Sequence, residues 1–190
     1  MQRENISLIL PEGEFSVEAT RFIEEDRHRL AKVYRTWREL SDELRTMGGR
    51  GVNLPEVLSE GAFCLEMDVL RVVSNISGAN SSWDCFDIDT QKRIQVKACS
   101  VLPDLTSFGP TSQWDEIYFL DFFRNGDWDG TFDIYKVSND LIYNHRVNEN
   151  QTLRDQQKQG RRPRFSIYRE VIIPRNIQPI KTGDLCLLVN

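Results

Sequence analysis

Asp84, Gln95 and Lys97 are spaced so that a carboxylate, an amide and an ammonium can meet across one β-hairpin. Residues 83–88 and 93–99 are rich in apolar and aromatic side chains, and Asp89-Thr90-Gln91-Lys92 between them has the composition of a turn. Side chains of a strand alternate faces, so Gln95 and Lys97 share one side while Ile94, Val96 and Ala98 take the other, apolar one. A turn symmetric about Thr90-Gln91 sets Asp84 opposite Lys97 and Phe86 opposite Gln95. Asp84 then joins the face of Gln95 and Lys97, and Asp87 falls on the other. A one-residue bulge exchanges the two aspartates, so the sequence leaves both open as the acid of the site.

Such a trio suits metal-assisted phosphodiester hydrolysis. Oxygen ligands hold Mg²⁺, a hard cation that keeps several waters and also takes a phosphate oxygen. The metal neutralises developing charge and acidifies a bound water. An ammonium beside that water stabilises hydroxide and the crowded negative charge of the transition state. By spacing alone, however, the pattern also occurs in ordinary solvated hairpins.

The elements that must position these residues are legible from periodicity and caps. Ser16 is a candidate N-cap for a long helix over 15–47, stopped by Gly48-Gly49. Within it Leu30, Val33, Trp37, Leu40, Leu44 and Met47 recur at intervals of three and four, a narrow apolar seam that packs on its own domain or joins a second copy of the chain. A second helix starts near Asn53, with Pro55 in its first turn and Glu56 completing a capping-box-like start. Val57, Leu58, Gly61, Cys64 and Leu65 form its buried stripe, and Glu56 and Glu60 lie one turn apart on an adjoining face. Residues 78–82 read as a loop. Further strands are expected at 116–123, 131–137, 164–173 and 185–189, with short helices after Ser138-Asn139-Asp140 and over 151–158, the latter stopped by Gly160. The fold class is therefore α/β, a mixed central β-sheet flanked by helices. One domain over 1–190 is expected: 15–47 as a candidate dimerisation element, 53–137 as catalytic core and 138–190 as the DNA-contacting part.

Composition narrows the class. With 39% hydrophobic and 28% charged residues in 190, the chain is that of a globular protein. Its apolar runs are too short to span a membrane, and residues 1–14 lack the pattern of a secretory signal, so the cytoplasm is the expected compartment. Cys64, Cys85, Cys99 and Cys186 form no CxxC pair and have no histidine at ligand spacing, which argues for reduced, mostly buried thiols. The net charge of -5 hides an asymmetry: seven basic and two acidic residues between 154 and 175 give that segment +5 and leave -10 elsewhere. This suits an acidic metal site with a separate phosphate-gripping surface. Arg161, Arg162 and Arg164 flank Gly160 and Pro163, where a loop can approach a groove; Lys158, Gln156 and Gln157 add donors and acceptors just upstream. Arginine forks match guanine edges in the major groove. Ser107, Thr111 and Ser112 are further phosphate candidates, and Asn144 and His145 further contacts; His28 has no assigned role.

The order Asp84…Gln95-Val96-Lys97 after a helix bearing Glu60 resembles the catalytic core of the PD-(D/E)XK nuclease superfamily. Residues 50–56 running into 59–64, and 93–98, 104–110, 114–122, 132–144 and 156–167, are similar to a small family of type II restriction endonucleases that cut the interrupted palindrome GC-N-GC. The resemblance covers roughly residues 37–175. It implies Asp84 as bridging metal ligand, Gln95 at the second acidic position, Lys97 as the lysine that orients the attacking water and Glu60 as the helical acid of the metal shell. Gln95 departs from the commoner Glu or Asp: its oxygen still coordinates Mg²⁺, but one negative charge is lost. The resemblance further implies Mg²⁺ with Mn²⁺ as substitute, 5′-phosphate products and double-stranded DNA as substrate. It also implies a homodimer matched to a palindrome, no membrane, a bacterial or archaeal cytoplasm, and a DNA methyltransferase as functional but not physical companion. The rival expectations are a junction resolvase or repair nickase of the same superfamily, a non-catalytic DNA-binding module, or an acidic scaffold dimerising through the first helix.

Overall fold

Ile6, Leu8 and Leu10 alternate with the exposed Ser7 and Ile9, the chain reverses at Pro11, Glu12 and Gly13, and Phe15, Val17 and Ala19 alternate with polar residues. This period of two builds an antiparallel hairpin, β1 (Gln2–Leu10) and β2 (Gly13–Arg21), in a computed structural model that describes residues 1–72, 76–80 and 82–186. The helix expected over 15–47 is thereby corrected: Ser16 lies exposed in mid-strand, and α1 runs only over Arg27–Thr46. Its end is as expected, with Gly48 at φ +80 and amides of Gly48 and Gly49 returning to Arg45 and Leu44.

The apolar seam expected on α1 divides. Leu30, Trp37, Ala31 and Tyr34 are buried against α2 (Glu56–Met67) and the sheet, whereas Val33, Leu40 and Met47 point to solvent. α2 is capped by Pro55 rather than Asn53, and Val57 is exposed. Gly61 permits α2 to pack closely: a Cβ there would come within 2.9 Å of the Phe22 ring and 3.1 Å of Leu30 on α1.

After α2 come β3 (Leu70–Val72), β4 (Cys85–Asp87), β5 (Lys92–Cys99), the short β6 (Thr106–Ser107), β7 (Glu116–Asp121) and β8 (Thr131–Val137). α3 (Asn139–Tyr143), β9 (Arg146–Asn148), β10 (Gln151–Thr152), α4 (Leu153–Lys158), β11 (Arg164–Phe165) and β12 (Lys181–Asp184) complete the chain. The strand expected over 164–173 stops at Phe165 and gives way to a π-helical turn, Tyr168–Ile172. The reason is the buried Asp104 carboxylate, which accepts the amides of Ile167 and Tyr168 and so caps that turn. The last strand lies at Lys181–Asp184, ahead of the expected 185–189, of which 187–189 fall outside the described residues.

The principal sheet is mixed, in the order β1-β2-β3-β4-β5-β7-β8-β12, with β5 and β7 parallel and every other neighbour antiparallel. One face carries Cys85, Ile94, Val96, Tyr118, Leu120 and Ile134 under α1 and α2. The other carries Phe86, Ile117, Phe119 and Val137 under Phe108, Trp114 and the C-terminal segment through Phe165, Ile167 and Val171. All four cysteines are free; three are buried, and the Cys64 and Cys85 sulfurs approach to 3.4 Å between α2 and β4. Among the described residues no helix is long and apolar enough to cross a membrane.

Candidate active site

β4 and β5 pair so that Cys85 faces Ile94, Phe86 faces Arg93 and Asp87 faces Lys92. Asp84 therefore stands across from Gln95, two residues from the expected partner Lys97, and Phe86 does not oppose Gln95. A slip of two preserves the face, because side chains alternate with period two. At Asp84 the two strands part. Its amide still bonds to Ile94 O at 2.9 Å, but its carboxylate Oδ2 takes over the ladder, accepting the Val96 amide at 2.8 Å and the Gln95 side-chain amide. Asp87 is engaged elsewhere: its carboxylate accepts the amides of Asp89 and Thr90 and the Thr90 hydroxyl, locking the turn.

Burial raises the Asp84 pKa above the ordinary carboxylate range, while the Lys97 ammonium pulls it back. Lys97 is half-buried, with Nζ 5.9 Å from the centre of the Phe108 ring. α2 contributes Glu60, whose carboxyl is 12% exposed and paired with Arg71 of β3 at 2.5 Å. Burial and the neighbouring Asp84 charge push Glu60 up to about 7 against the pull of that guanidinium. Glu56, one turn earlier and exposed, also bears on Asp84 and Glu60. Arg71 carries no motif of its own; only the β3–β4 pairing, Arg71 opposite Cys85, brings it to Glu60.

Lys97 and Glu56 line an open cleft of about 780 Å³, together with Arg45, Ser107 and Arg162. Arg162 belongs to the Arg-rich loop. That loop is tied to the segment after β5 by β11 pairing with β6, by Phe108 N–H to Pro163 O at 3.0 Å, and by Gln157 Nε2 to Gly109 O at 2.7 Å. Arg161, Arg162, Arg164 and Lys158 are exposed. Gln156 and Gln157 are half-buried, and Gln157 braces the loop through that bond. His145 is stacked on Phe165 and bonded to Glu170, a structural placement.

The family model described as Bsp6I restriction endonuclease matches residues 22–174. The chain belongs to the Bsp6I restriction endonuclease family. It is 34% identical over 170 residues to the type II restriction enzyme Bsp6I of Bacillus sp. (strain RFL6), covering 86% of this chain and 92% of that protein. No solved structure matches the chain. As a member of the Bsp6I family the protein is a type II, site-specific deoxyribonuclease. The matched span takes in every residue of the hairpin site and of the Arg-rich loop and begins only after β2.

Type II restriction enzymes generally use divalent metal ions, and the donor set can be tested against one. Among the described residues no group of three or more His, Cys, Asp or Glu side chains forms a metal cluster. Gln95 stands where a third acid would complete it. The two half-buried carboxylates are nevertheless held above their ordinary pKa by desolvation and, at Glu60, by repulsion from Asp84, an excess of negative charge that a hard cation relieves. A half-turn of the Gln95 amide presents its oxygen beside Asp84. The residues fit an oxygen-bound divalent ion.

Proposed function

We propose that Asp84, Gln95, Lys97 and Glu60 form a PD-(D/E)XK-type centre that hydrolyses phosphodiester bonds of duplex DNA with Mg²⁺, or Mn²⁺ in its place, leaving 5′-phosphates. The carrying observation is the fork between β4 and β5, where the Asp84 carboxylate meets the Gln95 side chain with Lys97 next along the same face at the rim of the cleft. Asp84, Glu60 and the Gln95 oxygen would hold the ion, which when bound supplies charge neutralisation at the phosphate and an acidified water. Lys97 holds and orients the attacking water and stabilises negative charge as it develops on the phosphoryl oxygens. The amide of Val96 keeps Asp84 aimed, and the half-turn of the Gln95 amide completes the oxygen set.

In the same reading Arg161, Arg162, Arg164 and Lys158 grip phosphates and base edges, with Gln156 and Gln157 beside them. The enzyme acts as a homodimer on an interrupted palindrome of the GC-N-GC type, each copy cutting one strand, in the cytoplasm. Lys97→Ala tests the centre. Plasmid cleavage in Mg²⁺ should fall at least about 100-fold, while binding to a cognate duplex in Ca²⁺ stays within a few-fold. Cleavage at the parent rate would overturn the assignment.

A further inference from the structure

We propose that a second copy of the chain docks on the solvent-facing side of α1, antiparallel, with the two-fold axis at Thr36. The inference rests on the homodimer of the proposed function and specifies its surface. Val33, Leu40 and Met47 are 37%, 50% and 70% exposed and seven residues apart, so they form one straight stripe that the protein's own core leaves uncovered. Thr36 lies between Val33 and Leu40 on the same exposed face, small enough to let two helices approach.

Charge says what covers the stripe. On the exposed face the N-terminal half of α1 carries Arg29 and Lys32, and the C-terminal half Glu39 and Glu43. No ion pair engages any of the four among the described residues, although Asp42 nearby is paired with Arg38 and Arg45. This order runs against the helix macrodipole, which favours acids early and bases late, so an isolated helix gains nothing from it. An antiparallel copy does gain. An axis at Thr36 brings Arg29 to the partner's Glu43, and the turn of Lys32 and Val33 to the turn of the partner's Glu39 and Leu40, with the same contacts repeated by symmetry. The competing register, with its axis at Leu40, matches Val33 to the partner's Met47 but crowds the four acids around the axis and leaves the bases unopposed. Charge therefore selects Thr36, a register that covers Val33 and Leu40 and leaves Met47 beyond the paired turns. A partner of another kind would have to present the same bipolar pattern, which this chain already carries.

Three measurements test the surface. In sedimentation equilibrium, with and without a cognate duplex in Ca²⁺, the parent is expected to be a dimer. Val33→Glu with Leu40→Glu should weaken it at least about 100-fold by setting acids against acids, with thermal unfolding of the monomer unchanged because both positions are exposed. Arg29→Glu with Lys32→Glu should dissociate the dimer, and adding Glu39→Lys with Glu43→Lys should restore it. Thr36→Cys should form a symmetric disulfide under mild oxidation, measured against the parent as control for the native thiols, and Leu40→Cys should not. A monomeric parent, a dimer indifferent to these changes, or cross-linking through position 40 in place of 36 each overturns the assignment. Plasmid cleavage at a fixed site, followed in parallel, separates the two readings. Cleavage by a dimer that ignores α1 removes the surface alone, and absence of site-specific cleavage removes the proposed function.

Discussion

Glu60→Gln should make the metal-free protein more stable at pH 8 while leaving it nearly unchanged at pH 5. In the folded chain burial and the Asp84 charge hold the Glu60 carboxyl up to about 7, whereas the unfolded chain returns it to the ordinary glutamate value of 4.5. A group whose folded pKa is raised binds its proton more tightly when folded. Its stabilising effect is full below pH 4.5, declines as pH rises, and is gone above 7. The interval from 4.5 to about 7 corresponds to about 3 kcal/mol. Glutamine is close to the protonated carboxyl in shape and does not titrate, so the variant lacks this loss. It should lie within about 1 kcal/mol of the parent at pH 5 and exceed it by about 3 kcal/mol at pH 8. Asp84, also raised by burial, adds a loss of the same sense to both proteins and cancels in the difference. Urea denaturation in chelator at the two pH values measures it. Stability curves that run parallel from pH 5 to 8 would refute the claim that Glu60 is a largely desolvated acid strained by Asp84. On the proposed function, saturating Mg²⁺ reverses the order, since the ion stabilises the parent in proportion to its occupancy and glutamine offers a weaker ligand.

Three further outcomes follow from the hairpin and the loop. Asp84→Asn should abolish plasmid cleavage without lowering stability in chelator, because an amide costs less to bury than a carboxylate; Asp87→Ala should keep cleavage but lose about 1 kcal/mol, read by urea denaturation, as the turn amides lose their acceptor. The reverse pattern would assign the site to Asp87. Gln95→Glu sets a second carboxylate against Asp84, so it should destabilise the metal-free protein at pH 8 and tighten Mn²⁺ binding in calorimetry; unchanged affinity would remove position 95 from the ligand set. Arg162→Ala and Arg164→Ala should each lower the dependence of log Kd on log salt by about 1, measured on a cognate duplex in Ca²⁺, if each arginine neutralises one phosphate.

Much of the site was legible because its logic is local. Gln95 and Lys97 share a face by strand alternation, and the hairpin turn was marked by composition, so a register displaced by two residues still kept Asp84 with them. What failed was capping read without periodicity. Ser16 resembled an N-cap, yet Phe15, Val17 and Ala19 alternate with period two, and Pro11-Glu12-Gly13 before them is a turn; weighing the alternation would have found β1 and β2. The apolar seam of α1 was real as spacing, but spacing does not say which of two faces the core takes; Leu30 and Trp37 turn inward and Val33 and Leu40 outward. The apolar run at 164–173 read as a strand because its helical turn is dictated from outside it, by Asp104 sixty residues earlier. Arg71 was invisible for the same reason: its relation to Glu60 exists only through sheet pairing.

Asp104 also bears on how cleavage could depend on sequence. Its buried carboxylate accepts the Ser166 hydroxyl, the Ile167 amide at 2.9 Å and the Thr106 hydroxyl at 3.0 Å, so it fastens the exit of β5 to the strand that ends the Arg-rich loop. A buried carboxylate is costly without such donors, and any shift of one segment past the other would leave its oxygens unpaired. The β6–β11 pair and the Gln157–Gly109 bond fix the same junction from the other side. Six residues separate Lys97 from Asp104, and Arg162 lines the cleft that Lys97 also lines. The Arg-rich loop and the stretch that follows Lys97 are thus fastened to each other at several hydrogen-bonded points, and Arg162 and Lys97 face one cleft.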